Sequence, residues 1–351
     1  MTRPKPRIAV SMGDPAGVGP EICLELLRYV AKNPGSHWPV VVGDWHTCPT
    51  VARNCDDILS LGITVAHSIE EVAASRGPCW WDRGWLQQPP PLAEISPEAG
   101  LASFGYVEAA LELVQRQLAD AVVTGPIHKQ AWQRAGIAYP GHTEFFVERC
   151  RSPRHAMMLT SPAVTCSLVT THVGIADVSE LLRTDRILEV LELTHHALHE
   201  LLQRSPRLAV LGLNPHAGED GRFGRGEEER VIVPAIDAAR RQGWSVRGPL
   251  SPDTAFLPEV RRRTDAYVCM YHDQGLIPLK TLAFDAGVNV TLGLPIVRTS
   301  VDHGPAFDRI GSACATSMIA AYDLARQWVT MRSRSPLSRS GPCPPADPER
   351  R

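Results

Sequence analysis

The stretch VTCSLVTTH, residues 164–172, is a short apolar run that ends in a histidine. Two further runs have the same form, namely LAVLGLNPH at 208–216 and DAYVCMYHD at 265–273. Short runs rich in Val, Leu, Cys and Tyr are typical of buried strands in a parallel sheet. In open α/β sheets, ligands bind in the crevice beyond the carboxyl ends of the strands. The three runs therefore predict an α/β fold whose strands deliver three imidazoles to one crevice.

Three imidazoles at one sheet edge are the protein half of a catalytic metal site that leaves positions open for substrate. A single histidine at a strand end is more often a structural hydrogen-bonding residue, but His172, His216 and His272 share the same context. Asp253 and Asp273 are carboxylates that could orient the rings. We therefore predict that the three histidines bind a divalent cation and that the two aspartates support them.

The composition is that of a globular protein of 351 residues, with 44% hydrophobic and 21% charged residues. The net charge of −2 argues against nucleic-acid binding, which would need a basic stripe. No apolar stretch approaches the ~20 residues that a membrane span needs. Nine cysteines, several of them inside apolar runs, predict buried free thiols in a reducing compartment. We expect a cytoplasmic protein with neither a nucleic-acid nor a membrane partner.

Strand-like and helix-like segments alternate along the chain, which predicts an α/β fold. We predict one catalytic unit over residues 1–330 and a disordered Ser/Pro/Arg-rich tail over 331–351. The Trp- and Pro-rich segment Gly77–Pro97 is predicted to be a surface loop or a lid. His195 and His199 have the i, i+4 spacing of a metal clamp on a long helix, Ser179–Leu202, but ordinary helix surface is the favoured interpretation.

A glycine-rich segment, GDPAGVGPE at 13–21, follows the first predicted strand and opens the first predicted helix. A phosphate-binding loop has this position. Its glycines fit neither the dinucleotide-binding fingerprint nor the Walker pattern. The segment therefore indicates either a tight turn or a close approach of backbone to a ligand, and the sequence leaves both open.

A second group of residues has the chemistry of an anion site. His142 and Thr143 lie in GHTEFF at 141–146 and offer a ring N–H and a hydroxyl. Lys280, Asn289 and Arg298 are spaced nine apart at the edges of apolar segments. Lysine and arginine with a neutral amide suit a dianionic phosphate. The alternatives are a structural histidine and solvated charges.

Taken together, these segments closely resemble the 4-hydroxythreonine-4-phosphate dehydrogenase family of pyridoxal phosphate synthesis. The resemblance extends from about Ile8 to Leu324. Its most specific stretches are GDPAGVGPE at 13–21, TGPIHK at 124–129, GHTEFF at 141–146, GLNPHAGE at 212–219, MYHDQG at 270–275 and NVTLGLPIVRTSVDHG at 289–304.

The resemblance implies a two-lobed, largely parallel-sheet fold similar to that of isocitrate and isopropylmalate dehydrogenases. The lobes would be interleaved in sequence, with the active site in the crevice between them. It implies an NAD- or NADP-dependent oxidative decarboxylase of 4-phosphohydroxy-L-threonine that forms 3-amino-2-oxopropyl phosphate. The implied cofactors are the nucleotide and a divalent metal, Zn, Mg or Co.

Site residues carry over by matching motif, and the resemblance implies a homodimer. His172, His216 and His272 would hold the cation, with His272 reaching in from the partner subunit. The phosphorylated substrate would bind to His142, Thr143, Lys280, Asn289 and Arg298. The sequence assigns neither the nucleotide-contacting residues nor the general base.

Three other functions remain open at this stage. One is a sister dehydrogenase that acts on threonate 4-phosphate, erythronate 4-phosphate or a cyclic dihydrodiol. Another is a metal-dependent lyase or hydrolase that uses no nicotinamide. The third is a metabolite sensor that binds a ligand without turnover. Formation of NADH separates the dehydrogenases from the other two.

Overall fold

The computed structural model describes residues 6–334, which form an α/β protein. The strands are β1 Arg7–Ser11, β2 Trp38–Gly43, β3 Thr64–Ala66, β4 Cys79–Asp82, β5 Ala121–Thr124, β6 Ala156–Thr160, β7 Thr165–Leu168, β8 Arg207–Leu211, β9 Ser245–Leu250, β10 Ala266–Cys269, β11 Val288–Leu292 and β12 Val297–Val301. The α-helices are α1 Gly19–Lys32, α2 Pro49–Ala52, α3 Cys55–Ser60, α4 Ile69–Ala74, α5 Pro97–Gln115, α6 Lys129–Arg134, α7 His142–Arg149, α8 Val178–Leu181, α9 Thr184–Leu202, α10 Val233–Arg241, α11 Pro258–Arg261, α12 His272–Ala283 and α13 Thr316–Arg334.

The chain divides into two compact units, and each is built from segments that are distant in sequence. Within the described residues, unit 1 comprises residues 6–153 and Leu294–Thr330, and unit 2 comprises Arg154–Gly293 with residues 331–334. No helix in the described part of the chain has the length and apolarity that crossing a membrane requires.

Unit 1 contains six strands in the order β3-β4-β2-β1-β5-β12, and the printed pairings between them are all parallel. All five residues of β1 are buried, as expected for a central strand covered on both faces. Helix α1 begins with Pro20 in its first turn and has Glu21 near its N-terminus and Lys32 in its last turn. These positions suit the missing N–H of proline and the helix dipole. The carboxyl ends of β1, β5 and β12 thus lie side by side.

Unit 2 contains the strand order β11-β6-β7-β10-β8-β9. The neighbours β7, β10, β8 and β9 are parallel, whereas β6 is antiparallel to both β7 and β11. The core beside β7 and β10 includes Cys166, Leu168, Tyr267 and Cys269. The predicted α/β class with a largely parallel sheet is confirmed, and β6 is the antiparallel exception.

Several segments differ from the expected elements. The long helix predicted over Ser179–Leu202 is interrupted at residues 182–183 between α8 and α9. His195 on α9 is only 9% exposed and stacks on Trp244 at 4.7 Å, so its assignment to helix surface is wrong. Residues 331–334, expected in a disordered tail, continue α13, and residues 335–351 lie outside the described residues.

The Trp-rich segment is partly strand and partly an anchored loop. Trp80 and Trp81 are buried in β4, which pairs with β2. The buried Asp44 carboxylate accepts hydrogen bonds from the backbone N–H groups of Trp85 and Leu86 and from the Tyr106 hydroxyl. The loop that follows Trp85 and helix α5 enclose a cavity of about 810 Å³ within unit 1.

Candidate functional site

The three predicted metal histidines all lie in unit 2, beyond neighbouring parallel strands. His172 follows β7, His272 begins α12 directly after β10, and His216 follows β8. Because β10 pairs with both β7 and β8, the carboxyl ends of the three strands lie at one edge of the sheet. The rings of His172 and His216 are exposed and that of His272 is half-buried.

His172 and His272 form the closest pair, with ring centroids 5.9 Å apart. His272 Nδ1 lies 2.7 Å from Asp273 Oδ1, so this carboxylate orients the ring as a supporting acceptor would. No group of three or more His, Cys, Asp or Glu side chains within residues 6–334 is arranged to hold a metal ion. The structure therefore brings two of the three imidazoles together and places the third at the same sheet edge.

His216 lies in a run of left-handed backbone. The φ angles are +51° at His216, +53° at Ala217, +42° at Glu219 and +55° at Asp220. Gly218 and Gly221 within and after the run also have positive φ. Such angles disfavour residues with a Cβ, so the surrounding contacts must hold this loop in place.

Asp253, the second predicted supporting carboxylate, lies on the loop after β9. Its carboxylate accepts a hydrogen bond from Ser251 Oγ at 2.5 Å. This hydrogen bond lowers the pKa of Asp253, and the nearby His216 ring lowers it further. Asp253 therefore lies within electrostatic reach of His216, and Asp273 lies beside His272.

In unit 1, the predicted anion-binding residue His142 lies near Arg298. We call these two residues, with Thr124 and Lys129, the cationic pocket. This arginine is 2% exposed, and burial lowers its pKa to about 9 while the nearby Glu144 carboxylate opposes that shift. Its Nη2 donates a hydrogen bond of 2.7 Å to Thr124 Oγ1 at the end of β5. Anions and hydrogen-bond acceptors stabilise a buried guanidinium, so the charge and planar donor set of Arg298 suit an anionic ligand.

His142 contributes a second buried polar atom to the same pocket. Its Nε2 is inaccessible and has no hydrogen-bond partner among the described residues. Burial lowers the pKa of His142 well below its ordinary range, and the charges of Arg298 and Lys129 lower it further. The charges of Lys129 and Arg298 therefore both act on His142. An anion bound next to this ring would be attracted to both cations.

The other predicted substrate residues lie as follows. Thr143 is half-buried next to His142 in the first turn of α7. Lys280 lies on α12 of unit 2, with Nζ 5.7 Å from the centroid of the Phe284 ring. Asn289 pairs with Leu159 in the β11–β6 ladder, and its Oδ1 is buried without a partner in the described part of the chain. Arg298 and His142 are thus brought together in unit 1, while Lys280 and Asn289 belong to unit 2.

The glycine-rich segment is a tight turn held against the β5 loop. Asp14 N–H donates to the Pro126 carbonyl, and a Cβ on Gly13 would lie 2.4 Å from that oxygen. The φ of +84° at Gly13 also favours glycine. Asp14 is fully buried, and burial raises the pKa of its carboxyl to about 6. The segment satisfies the tight-turn interpretation and carries a buried carboxyl group.

Residues 37–325 match the family model described as pyridoxal phosphate biosynthetic protein PdxA. The chain belongs to this family. It is therefore an enzyme of the dehydrogenase class, because the relatives that are 40–44% identical to it are dehydrogenases. The family match includes every predicted site residue, from His142 to Arg298.

Two curated relatives and one solved structure illustrate the range of the PdxA family around this chain. A 4-hydroxythreonine-4-phosphate dehydrogenase of Geobacter metallireducens is 44% identical over 95% of the chain and 98% of the relative. A D-threonate 4-phosphate dehydrogenase of Cupriavidus necator is 37% identical over 93% and 98%. The crystal structure of a 4-hydroxythreonine-4-phosphate dehydrogenase from Klebsiella pneumoniae has a TM-score of 0.78 at 37% identity and covers 92% of this chain and 99% of that one.

Sequence reasoning gave no role to two residues of the cationic pocket. Both Thr124 and Lys129 lie in the motif TGPIHK, which indicated a binding segment but not the residues that these two side chains contact. Their proximity to Arg298 and His142 depends on the pairing of β5 with β12, in which Arg298 lies opposite Val122, 176 positions earlier in the sequence. Only the tertiary structure supplies that pairing.

Proposed function

We propose that the chain catalyses NAD- or NADP-dependent oxidative decarboxylation of 4-phosphohydroxy-L-threonine to 3-amino-2-oxopropyl phosphate, a step in pyridoxine 5'-phosphate formation. The observation that carries the proposal is the cationic pocket of unit 1, in which the buried Arg298 guanidinium lies near the buried Nε2 of His142. This pocket has the chemistry of a phosphate site. Relatives named for 4-phosphate substrates support the same assignment.

In this proposal, the phosphate binds to Arg298, His142 and Thr143, with Lys280 and Asn289 as further substrate contacts. Arg298 provides a planar, permanently charged donor set, which suits a phosphate dianion better than a solvated lysine would. A dianion next to His142 would raise the pKa of that ring and allow it to donate from Nε2. Binding energy gained here, at an atom remote from the reaction, helps to position the reacting carbon.

The proposed cation ligands are His172, His216 and His272. Their donor chemistry fits a divalent transition metal, because three imidazoles next to a sheet edge leave coordination positions for substrate oxygens. A divalent cation, when bound, would lower the pKa of a substrate alcohol and stabilise negative charge on the substrate oxygens. Asp273 holds the His272 ring through Nδ1 and so leaves Nε2 as its ligating atom.

The reaction balances with the nucleotide as oxidant. The C3 hydroxyl of the substrate would lose its proton, and a bound oxidised nicotinamide nucleotide would serve as the acceptor of the hydride from C3. The resulting β-keto acid breaks its C1–C2 bond, releases carbon dioxide and is protonated at C2 to give the amino ketone phosphate. We assign no general base to these steps.

We further propose a homodimer in which the cation site is shared and His272 comes from the partner subunit. Large apolar side chains near the metal histidines support a partner surface in unit 2. Ile175 is 69% exposed, Ile277 on α12 is 65% exposed and Phe284 is 64% exposed. An apolar patch formed by these residues would be typical of a protein interface.

A second candidate function is oxidation of D-threonate 4-phosphate, because a relative that is 37% identical bears that name. The two substrates share the 4-phosphate and the 3-hydroxyl and differ at C2, where one has an amine and the other a hydroxyl. The residues of the cationic pocket would serve both. The sequence and the pocket favour a phosphorylated substrate over a cyclic dihydrodiol.

The deciding experiment is a steady-state assay of purified protein loaded with Zn²⁺, Mg²⁺ or Co²⁺. Each substrate is supplied with NAD and, separately, NADP, and reduced nucleotide and carbon dioxide are measured together. Equal amounts of both products from 4-phosphohydroxy-L-threonine, at the higher kcat/KM, support the proposal. A higher kcat/KM for D-threonate 4-phosphate transfers the assignment to the second candidate. Product formation without nucleotide reduction indicates a lyase or hydrolase.

A further inference from the structure

The loops that carry His216 and His272 are joined by one buried side chain. Gln274, on the first turn of α12, is 6% exposed. Its Oε1 accepts a hydrogen bond of 2.7 Å from the backbone N–H of Met270. Its Nε2 donates a hydrogen bond of 2.7 Å to the carbonyl of Gly212. The amide therefore bridges the end of β10, two residues before His272, to the end of β8, four residues before His216.

The Gly212 end of this bridge is fixed from its other side by a buried carboxylate. Glu228 is 1% exposed, and its Oε1 accepts hydrogen bonds of 2.8 Å from the N–H groups of Leu213 and Asn214. Its Oε2 accepts a hydrogen bond of 2.9 Å from Asn214 Nδ2. A Cβ on Gly212 would lie 3.2 Å from Glu228 Oε1, so the carboxylate is packed against the loop backbone.

The Met270 end is connected in turn to the His172 loop. The Met270 carbonyl accepts hydrogen bonds from both the N–H and the Oγ1 of Thr170, at 3.2 and 2.8 Å. A continuous set of hydrogen bonds therefore runs from Thr170 through Met270 and Gln274 to Gly212. It crosses the ends of β7, β10 and β8, the three strands that precede the histidines.

We propose that Gln274 is a positioning residue that holds the His216 loop against the end of β10 and so preorganises the His216 ligand of the cation site, an inference that rests on the proposed function. The left-handed run after Asn214 is conformationally costly and needs such restraints to stay in one arrangement. An amide suits the position because one group must accept from Met270 N–H and donate to the Gly212 carbonyl. A carboxylate could do only the first.

The test is the pair of variants Gln274→Glu and Thr194→Val. Gln274→Glu keeps an acceptor for Met270 N–H but sets an oxygen against the Gly212 carbonyl. Thr194→Val is the matched control, because Thr194 is a fully buried residue of unit 2 whose Oγ1 hydrogen-bonds to the Val190 carbonyl on α9 and to Ser167 Oγ on β7, outside the Thr170–Gly212 set. Hydrogen–deuterium exchange of residues 212–221 is measured on metal-free protein, and Co²⁺ binding is measured by chelator competition and by the visible spectrum of the ion.

We expect Gln274→Glu to speed exchange in residues 212–221 at least about tenfold and to weaken Co²⁺ binding roughly 10- to 100-fold with an altered spectrum. Thr194→Val should lower the melting temperature but leave both readouts unchanged. Wild-type exchange and wild-type Co²⁺ affinity in Gln274→Glu would overturn the inference. Failure of the wild-type protein to bind Co²⁺ would instead contradict the cation site of the proposed function, while the metal-free exchange would still decide whether Gln274 holds the loop.

Discussion

At the scale of single residues, Arg298 is the side chain on which the proposed phosphate site depends most. It is buried beside a hydroxyl and an imidazole and has its pKa lowered to about 9. Replacing it with methionine keeps most of the volume and removes the charge. The phosphate would then lose a charge-assisted donor set that contributes about 1.5–3 kcal/mol per hydrogen bond.

We expect Arg298→Met to raise KM for the phosphorylated substrate roughly 10- to 100-fold, with a smaller change in kcat. Steady-state kinetics measure both constants, and Arg116→Met is the control because Arg116 forms only an exposed ion pair with Glu112. A KM that stays at the wild-type value would remove Arg298 from the phosphate site.

His195 gives a prediction for the pH dependence of stability. Burial, together with the neighbouring His196 and His199, lowers its pKa to about 4. The ordinary pKa of 6.5 applies in the unfolded chain, so between pH 6.5 and 4 the unfolded state binds more protons than the folded state. Acidification through this range therefore favours unfolding, by about 1–3 kcal/mol for this residue.

Replacing His195 with phenylalanine retains the stacking on Trp244 and removes the titration. We expect the free energy of unfolding of His195→Phe to fall less between pH 7 and pH 4.5 than that of the wild-type protein. Urea denaturation at a series of pH values measures this, with the exposed His46→Phe as the control. Parallel curves for His195→Phe and wild type would refute the assignment.

The residue types of the site were predictable because chemistry restricts them. Imidazoles at strand ends and a lysine and arginine in apolar surroundings can be recognised in the sequence alone. The partners of these residues could not be recognised in that way. The Thr124–Arg298 hydrogen bond joins residues 174 positions apart, and the role of Gln274 depends on where the Gly212 carbonyl points.

At the scale of elements, the Trp-rich loop packs against α5 so closely that the contact between Trp85 and Gly105 leaves no space for a side chain on the glycine. The Trp85 ring stacks on Tyr106 with an interplanar angle of 7° and also lies against Gly105 of α5. A Cβ on Gly105 would lie 1.7 Å from Trp85 Cζ3. The indole must therefore move if any other residue replaces this glycine.

We expect Gly105→Ala to displace Trp85 and to destabilise the protein by about 1–3 kcal/mol, although alanine favours helix more than glycine does. Denaturant unfolding measures the stability, and tryptophan emission reports the indole's new environment. Gly77→Ala is the control, since its Cβ would meet only the Gly62 carbonyl at 3.9 Å. An unchanged stability of Gly105→Ala would show that the loop does not depend on this contact.

Most of the regular elements were predictable from the hydrophobic pattern and from the Gly and Pro residues that separate the segments. The apolar run before His172 indicated β7, and the glycine-rich segment at 13–21 indicated the start of α1. Strand β4 was missed because its tryptophans stand among prolines and glycines that resemble a loop. The break between α8 and α9 was missed because the apolar spacing continues through it. Antiparallel β6 was missed because strand direction is decided by tertiary pairing.

At the scale of the whole molecule, the exposed apolar residues of unit 2 form the association surface of the proposed homodimer. Ile277 and Phe284 have more than three fifths of their surface exposed. A charge placed at either position would have to be buried in the proposed dimer without a partner. The same substitution on a surface that stays in solvent should have no effect on association.

We expect Ile277→Asp to shift the protein from dimer to monomer in sedimentation velocity experiments, with the dissociation constant raised at least about 100-fold. Leu101→Asp is the matched control, because Leu101 is 60% exposed in unit 1. Dimers of unchanged affinity in Ile277→Asp, or monomers in the wild type, would contradict the proposed surface.

Complementation tests whether the two chains share the cation site. His172→Ala and His272→Ala are each expected to be inactive. In a shared site, their heterodimer contains one complete set of ligands, so about half of the wild-type activity should return. The alternative is that each chain supplies its own ligands, and the proximity of His172 and His272 within one chain is compatible with it. A purified heterodimer with no activity would indicate that each chain supplies its own ligands.

The left-handed backbone from His216 to Gly221 has a consequence for chemical synthesis of this enzyme. D-amino acids prefer the φ and ψ angles that L-residues avoid, and the avoided region costs an L-residue roughly 1–2 kcal/mol. A semisynthetic chain with D-alanine at position 217 should therefore be more thermostable than its all-L counterpart. In this short arc the enzyme follows the mirror image of an ordinary helical turn.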